Sequence, residues 1–189
     1  MLTLEQKNNN EIKFMELLAK LNIDLTEVSK LLDTVDYFNK PASAQYTGAY
    51  DGGLCEYALR FAHELGVLCN AYFPGRYSEE DVIKVALFKD FYKATMYEKA
   101  YRNVKDDATG QWNTVEYYKT KEGANRQVFG DLALSSYFQI KNFISLTDEQ
   151  SLAIIHSTGN FPPDIHDVMR TYPLVALTRM AEIAAAHLY

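Results

Sequence analysis

The chain has 189 residues, of which 48% are hydrophobic and 23% are charged, so its composition is that of a globular protein and excludes a disordered or collagen-like one. Its formal charge of -6 argues against tight nonspecific binding of nucleic acid, because phosphate neutralisation requires Lys and Arg. No apolar run approaches the ~20 residues that cross a bilayer, and the start of the chain lacks the apolar core of a secretory signal. We therefore expect a cytoplasmic protein without a membrane-bound part.

Helical patterns dominate the first half of the chain. Apolar residues spaced three apart predict a first helix over residues 10–21. Thr26 is predicted to cap a second helix that ends before Pro41, because the residue before a proline avoids the helical conformation. After a loop and a third helix, Ser78 and the acids that follow it predict the start of a fourth helix that extends towards Met96.

The two cysteines are predicted to be separate, buried thiols. Cys55 and Cys69 are 14 residues apart within the third predicted helix. Helical rise separates them by roughly 21 Å, which is far beyond disulfide reach. Two cysteines are also too few for a Cys-based zinc site.

The second half of the chain begins with a different pattern. Segments 101–105 and 112–119 are rich in aromatic and β-branched residues, and a short turn with Gly110 separates them, which predicts a β-hairpin. Further helices are predicted near 126–142, after a capping box formed by Thr147 and Gln150, and over 172–189. We expect one domain over residues 1–189, with the hairpin inserted at about 100–120.

Several phrases in the sequence occur in an order that resembles a known family. They are Tyr46–Leu59 (YTGAYDGGLCEYAL), Val85–Lys93 (VALFKDFYK), Tyr101–Lys105 (YRNVK), Gly110–Trp112 (GQW), and Thr147–Gln150 (TDEQ) before Ile155-His156. Together they resemble the HD-domain superfamily, in particular its small bacterial and phage type. The resemblance implies an all-α fold, namely an HD-like helical bundle with an inserted β-hairpin. It covers residues 37–189 and leaves the N-terminal helices of residues 1–36 outside.

The resemblance also implies a metal centre, which this sequence has lost in part. The resemblance implies a metal-dependent phosphohydrolase. In such an enzyme two adjacent metals need neutral imidazoles and carboxylates from several helices. The positions that match the family's metal ligands are Tyr57, Lys89, Asp90, Phe129, Asp131, His156 and Glu182. Of the three histidines expected before His156, none remains, because Tyr57, Lys89 and Phe129 stand in their places. We therefore expect no metal and no other cofactor.

Lys89 is the most informative of these replacements. Deprotonating a lysine at pH 7 costs roughly 4–5 kcal/mol from its reference pKa, so Lys89 is a poor metal ligand. We interpret its ammonium as a substitute for the charge of the metal, paired with Asp90 or Glu182. The alternatives are that Lys89-Asp90 is a pair on a helix surface, that His156 is a hydrogen-bonded structural residue, and that Glu182 is a solvated acid.

Tyrosines and cations near the hairpin suggest a ligand pocket. Aromatic faces stack on bases and arginine binds phosphate, so this region could bind a nucleotide-like molecule. The candidate ligand-binding residues are Lys89, Asp90, Lys93, Tyr97, Arg102, Lys105 and His156. The alternative is that the tyrosines only cover a hairpin on a helical body.

Three functional hypotheses follow from the sequence. The favoured one is a non-catalytic protein that binds a nucleotide-like molecule or a protein partner, as a regulator or inhibitor that a phage could use against its host. The second is a residual phosphohydrolase with Asp90, Asp131, His156 and Glu182 around one metal. The third is a structural interaction module in which Tyr57, Lys89 and Phe129 fill the pocket. The sequence leaves a homo-oligomer open in each case.

Overall fold

The computed structural model describes residues 1–123, 132–159 and 163–188. Within these ranges the protein is mostly helical, and it also contains a two-stranded antiparallel sheet. The expected all-α class is therefore wrong, and the fold is mixed. The cause is local, since both strands are dense in the aromatic and β-branched residues that favour extended backbone. Gly110, with a φ of 71°, supplies the left-handed position of the turn between them.

The order of elements follows the chain from an N-terminal helical pair to a long C-terminal helix. The helices are α1 (Leu4–Leu18), α2 (Leu25–Thr34), α3 (Gly53–Tyr72), α4 (Glu79–Phe88), α5 (Lys93–Met96), α6 (Leu132–Ile140), α7 (Asp148–Ile155), α8 (Ile165–Thr171) and α9 (Pro173–His187), with a 3₁₀ turn at Tyr37–Asn39. The strands are β1 (Tyr97–Lys105) and β2 (Trp112–Thr120). None of the helices in the described part of the chain combines the length and apolar character that crossing a membrane requires.

The helix starts test the predicted caps. Ser78 and Thr147 each form a capping box, so those two predictions are confirmed. The prediction for Thr26 is wrong, because the Asp24 carboxylate accepts the backbone N–H groups of Thr26 and the next residue and thus caps α2. The first helix begins earlier than residue 10, since a capping box at Thr3 starts it at Leu4.

The core lies around α3 and α4. Helix α3 packs against α1, α4 and α9, and α4 also packs against α7. Every residue from Ile83 to Phe88 is buried, so α4 is surrounded on all sides rather than lying on the surface. Both cysteines are free and buried on α3, as predicted. The segment that follows α4, which begins at Lys89, therefore starts inside the protein.

The loop before α3 makes a close backbone crossing. The carbonyl of Gly48, which has a φ of 76°, accepts the amide of Ala42 at 2.8 Å. A Cβ on Gly53 would lie 2.1 Å from the Gly48 carbonyl oxygen, so only glycine fits at the first residue of α3. This crossing fixes the start of the helix that carries Tyr57.

Among the described residues, the contacts that anchor the hairpin to the helical body lie at its base. Lys121 donates its amide to the Met96 carbonyl at 2.9 Å, and the Tyr118 hydroxyl donates to Asp51 in the loop before α3. Lys99 also pairs with Asp51, at 2.8 Å. The half of the hairpin beyond these contacts extends into solvent.

Candidate functional site

Lys89 is buried at the end of α4. Its amide donates to the Val85 carbonyl at 3.0 Å, so it closes the last turn of the helix. Because α4 lies in the core, this position is inside the protein, and only 1% of Lys89 is exposed. The alternative of a pair on a helix surface is therefore wrong.

The Lys89 ammonium bonds to two carboxylates from different parts of the chain. Its Nζ lies 2.6 Å from Asp90 Oδ2 and also donates to Glu182 on α9. A second ammonium, that of Lys93, lies 3.1 Å from the same Asp90 oxygen. We call these four residues, Lys89, Asp90, Lys93 and Glu182, the ion cluster. Its two positive and two negative charges balance one another.

Aromatic rings from α3 form one wall of the ion cluster. Tyr57 and Phe61 are four residues apart and so share a face of α3. Lys89 Nζ lies 4.4 Å from the centre of the Phe61 ring and 5.2 Å from that of Tyr57, and Lys93 Nζ is also 5.2 Å from the Tyr57 ring. Because ring faces attract cations, this wall stabilises the ammonium groups where water is excluded.

The ion cluster shifts the pKa values of Asp90 and Lys93 towards the charged forms. Burial by itself would raise the pKa of Asp90, but the ammonium groups of Lys89 and Lys93 more than offset it and hold that pKa below its usual value. Burial would likewise lower the pKa of Lys93, but the carboxylates of Asp90 and Glu182 raise it above its usual value. Asp90 and Lys93 are thus both charged at neutral pH.

These residues do not suit a divalent metal. Burial, and then the nearby carboxylates of Glu182 and Asp90, raise the pKa of the Tyr57 phenol, so this group remains protonated and is a poor ligand. Its hydroxyl lies 3.4 Å from the Glu182 carbonyl oxygen. The Lys89 ammonium has no lone pair to offer and repels a cation. We conclude that these positions do not fit the metal that the family resemblance implies.

His156 lies at the end of α7 and not in a metal-binding group. Within the described residues, no three His, Cys, Asp or Glu side chains come together in a way that could hold a metal, so His156, Asp90 and Glu182 form no such site. The His156 carbonyl accepts the Nε–H of Arg179, which also bonds to the carbonyls of Thr158 and Gly159. Arg179 thereby fixes segment 156–159 against α9. Phe129 and Asp131, the other two predicted metal positions, lie outside the described residues.

Three buried polar atoms near this region have no hydrogen-bond partner among the described residues. They are Asp90 Oδ1, Ser157 Oγ in the segment that Arg179 holds, and Thr178 Oγ1. Thr178 lies one helical turn before Glu182 and thus on the same face of α9. Buried polar atoms in folded proteins are nearly always satisfied, so a water or a small polar ligand is expected at these atoms.

Tyr92 connects the ion cluster with segment 156–159. Burial, followed by the charge of Asp90, raises the pKa of its phenol, whereas the nearby Thr158 side chain lowers it in part. Tyr97 also lies within electrostatic reach, because its pKa is raised by burial and affected by Lys93 and Asp90. Tyr92 and Tyr97 thus both lie beside the ion cluster.

The structure divides the predicted ligand-binding residues, apart from His156 at the end of α7, into two groups. Lys89, Asp90, Lys93 and Tyr97 come together, whereas Arg102 and Lys105 lie on the exposed half of β1. At about 3.4 Å per residue, Arg102 is roughly 17 Å and Lys105 roughly 27 Å along the strand from Tyr97. The Arg102 guanidinium stacks on the Tyr117 ring at 5.2 Å. No single pocket can therefore use all of these residues.

Sequence reasoning missed two contributors to the site. Phe61 could have been found from its spacing of four residues after Tyr57 on a helix. Arg179 could not, because its three carbonyl partners belong to segment 156–159, about 20 residues earlier in the chain. Pairings of this kind depend on how α7 and α9 pack.

Comparisons with known proteins add no relative. No protein-family model matches the chain, and searches of curated proteins and of solved structures return no match. The HD-domain resemblance therefore stays a prediction that rests on the sequence phrases quoted above.

Proposed function

We propose that this chain is a catalytically inactive HD-domain-like protein that acts by binding, with the Lys89 ammonium in place of a metal ion. The observation that carries this proposal is the contact of Lys89 Nζ with both Asp90 and Glu182. A buried ammonium between two carboxylates compensates the negative charge that a metal would otherwise neutralise. It supplies no Lewis acid and no activated water, which are the contributions of the metal in phosphohydrolases.

A nucleotide-like molecule is the first ligand class in this proposal. It is supported by the unpartnered oxygen Asp90 Oδ1, which can accept a hydrogen bond from an amino group, and by the tyrosines beside it. The side chains of Lys93 and Glu182 are 12% and 24% exposed, so the ion cluster reaches the surface at these two residues. The balanced charge of the cluster favours the base or sugar of such a ligand over a triphosphate at this point.

A protein partner is the second class, and a different observation favours it. Tyr101 and Trp112 are large hydrophobic residues that are more than 60% exposed on the outer half of the hairpin. Aromatic residues of this kind are enriched in protein interfaces. In this proposal the protein is a regulator or inhibitor that works as one domain in the cytoplasm, where two free cysteines stay reduced.

Metal binding and turnover test the inactive centre. We would titrate the protein with Mn²⁺ and Ni²⁺ by calorimetry and assay hydrolysis of a panel of nucleotides and phosphate esters. We expect no saturable binding of either metal and no turnover that depends on Lys89 or Asp90. Stoichiometric metal binding, or metal-dependent turnover abolished in Asp90→Ala and unchanged in Asp24→Ala, would overturn the proposal in favour of a phosphohydrolase.

Thermal shifts test the ligand. A ligand that binds only the folded state at about 100 times its Kd adds about 2.7 kcal/mol of stability, which raises the melting temperature measurably. We expect a nucleoside or nucleotide to stabilise the wild type and the surface variant Lys119→Gln, and to stabilise Lys93→Gln less. If no compound of the panel does so and pull-downs recover a stable partner, the protein-binding form of the proposal is the correct one. If neither experiment gives a binder, the proposed function is wrong.

A further inference from the structure

The outer half of the hairpin is exposed on both faces. Residues 101–105 of β1 and 112–116 of β2 are all exposed. A two-stranded ribbon without further packing is marginally stable in water, and a third strand or a helix is needed for independent stability. The ribbon therefore has one hydrogen-bonding edge along each strand at which another strand can add.

The register shows which backbone groups face outward from β2. Lys121 N donates to Met96 O at the base, and Asp106 N donates to Gln111 O at the turn. The hydrogen-bonded pairs of an antiparallel ladder alternate with non-bonded pairs, so between these two bonds the even-numbered residues of β1 bond to odd-numbered residues of β2. The even-numbered residues of β2, which include Trp112, Thr114 and Glu116, thus direct their N–H and C=O groups away from β1.

The two edges differ in charge. Strand β1 carries Lys99, Arg102 and Lys105 beside one acid, Glu98, and cationic side chains along an edge discourage the addition of another strand. In contrast, segment 112–118 of β2 has the sequence WNTVEYY, with Glu116 as its one charge and neither Gly nor Pro. The edge of β2 is therefore the more open of the two to pairing, and it is exposed over residues 112–116.

We propose that β2 pairs with β2 of a second copy of this chain, antiparallel and about a two-fold axis at Val115. The pairing joins the two hairpins into a four-stranded sheet. Val115 then faces the partner's Val115, Thr114 faces the partner's Glu116, and Trp112 faces the partner's Tyr118. Apolar and aromatic cross-strand pairs of this kind stabilise a sheet.

Charge disfavours one neighbouring register and favours a second copy. With the axis at Glu116, the two Glu116 carboxylates would face each other and repel. With the axis at Val115, the acidic turn of one copy, Asp106 and Asp107, lies beside the base of the partner's β2, where the partner's Lys121 lies. In a symmetric dimer this pairing of opposite charges occurs twice, because each copy brings both the acidic turn and the lysine. A strand of another protein would need its own acidic and basic groups at matching positions.

The size of the contact predicts a weak dimer. Seven paired residues give an edge of about 24 Å, which buries on the order of 600 Å² in total. Stable interfaces bury about 1,200–2,000 Å². We therefore expect a reversible dimer with a Kd of roughly 10–100 µM. This inference does not depend on the proposed function.

The experiment uses the single tryptophan of the chain. Trp112 is 69% exposed and lies on the pairing edge, so its emission should move to shorter wavelength as the dimer forms. We would measure the emission and the sedimentation velocity of the full chain between about 2 and 400 µM. We expect the average mass to approach that of a dimer and the emission to shift over the same concentration range.

Variants separate edge pairing from other association. Val115 and Val104 are each 40% exposed and lie on opposite strands, so Val115→Lys is the test and Val104→Lys the matched control. We expect Val115→Lys to stay monomeric and Val104→Lys to dimerise within about twofold of wild type. Lys121→Glu should weaken the dimer, and adding Asp107→Lys should restore it, a rescue that misfolding does not produce. A wild type that stays monomeric at the highest concentration, or a Val115→Lys variant that dimerises normally, would overturn the proposal.

Discussion

Replacing the buried ammonium is the sharpest test of the ion cluster. In Lys89→Met a side chain of similar length fills the same space without charge, and the carboxylates of Asp90 and Glu182 lose their shared cation. Removing one partner of a buried ion pair costs about 3–5 kcal/mol, and the remaining contact of Lys93 with Asp90 at 3.1 Å favours the lower end. For a chain of this size, about 3 kcal/mol lowers the melting temperature by about 6–12 °C.

The pH dependence and a matched control make this prediction specific. Without Lys89 the pKa of Asp90 rises, so protonation relieves the penalty, and the deficit should be smaller at pH 5 than at pH 7. Lys20 pairs with Glu79 at the same 2.6 Å, but on the surface, so Lys20→Met should cost less than about 1 kcal/mol. Combining Lys89→Met with Asp90→Asn should cost less than the sum of the two single changes. Urea unfolding measures all four variants. A Lys89→Met protein as stable as Lys20→Met at pH 7, or additive single costs, would refute the reasoning.

Three further predictions concern the acid side of the stability curve, the thiols and the loop before α3. Burial opposes ionisation of Asp90, but two ammonium groups lower its pKa in the folded protein below the ordinary value of 3.8. The ionised carboxylate therefore contributes to the free energy of unfolding above pH 3.8. This contribution is lost as the pH falls through the pKa of the folded state. Urea titrations should therefore show a shallower acid loss for Asp90→Asn than for wild type, and an equal slope would contradict this. Burial raises the pKa values of Cys55 and Cys69 to about 12 each, so both thiols should react with a disulfide reagent at pH 8 only on unfolding. Gly53→Ala should lower the free energy of unfolding by more than about 2 kcal/mol, and Gly75→Ala, which meets no atom within 4 Å, by about 1 kcal/mol.

Local features of the fold were predictable from the sequence. The caps at Ser78 and Thr147 depend on residues within one turn, and the hairpin depends on strand composition around Gly110. The strands are longer than predicted, because β1 begins at Tyr97, where the hydrogen bond of Lys121 with Met96 extends the ladder towards the helical body. The error in fold class came from the implied family fold, which treated the sheet as an insert in an all-α protein.

The candidate site required both levels of information. The adjacency of Lys89 and Asp90 and the loss of the expected histidines are properties of the sequence. Whether that lysine faces solvent or the interior depends on tertiary packing, because Glu182 is 93 residues away in the chain and reaches Lys89 only when α9 packs beside α3, against which α4 also packs. The same packing leaves Arg102 on the outer hairpin, since a strand that leaves the body at Tyr97 cannot return to the ion cluster. Charge and local geometry are thus determined by residue type and spacing. Burial, which controls how strongly those charges interact, is decided by contacts between distant parts of the chain.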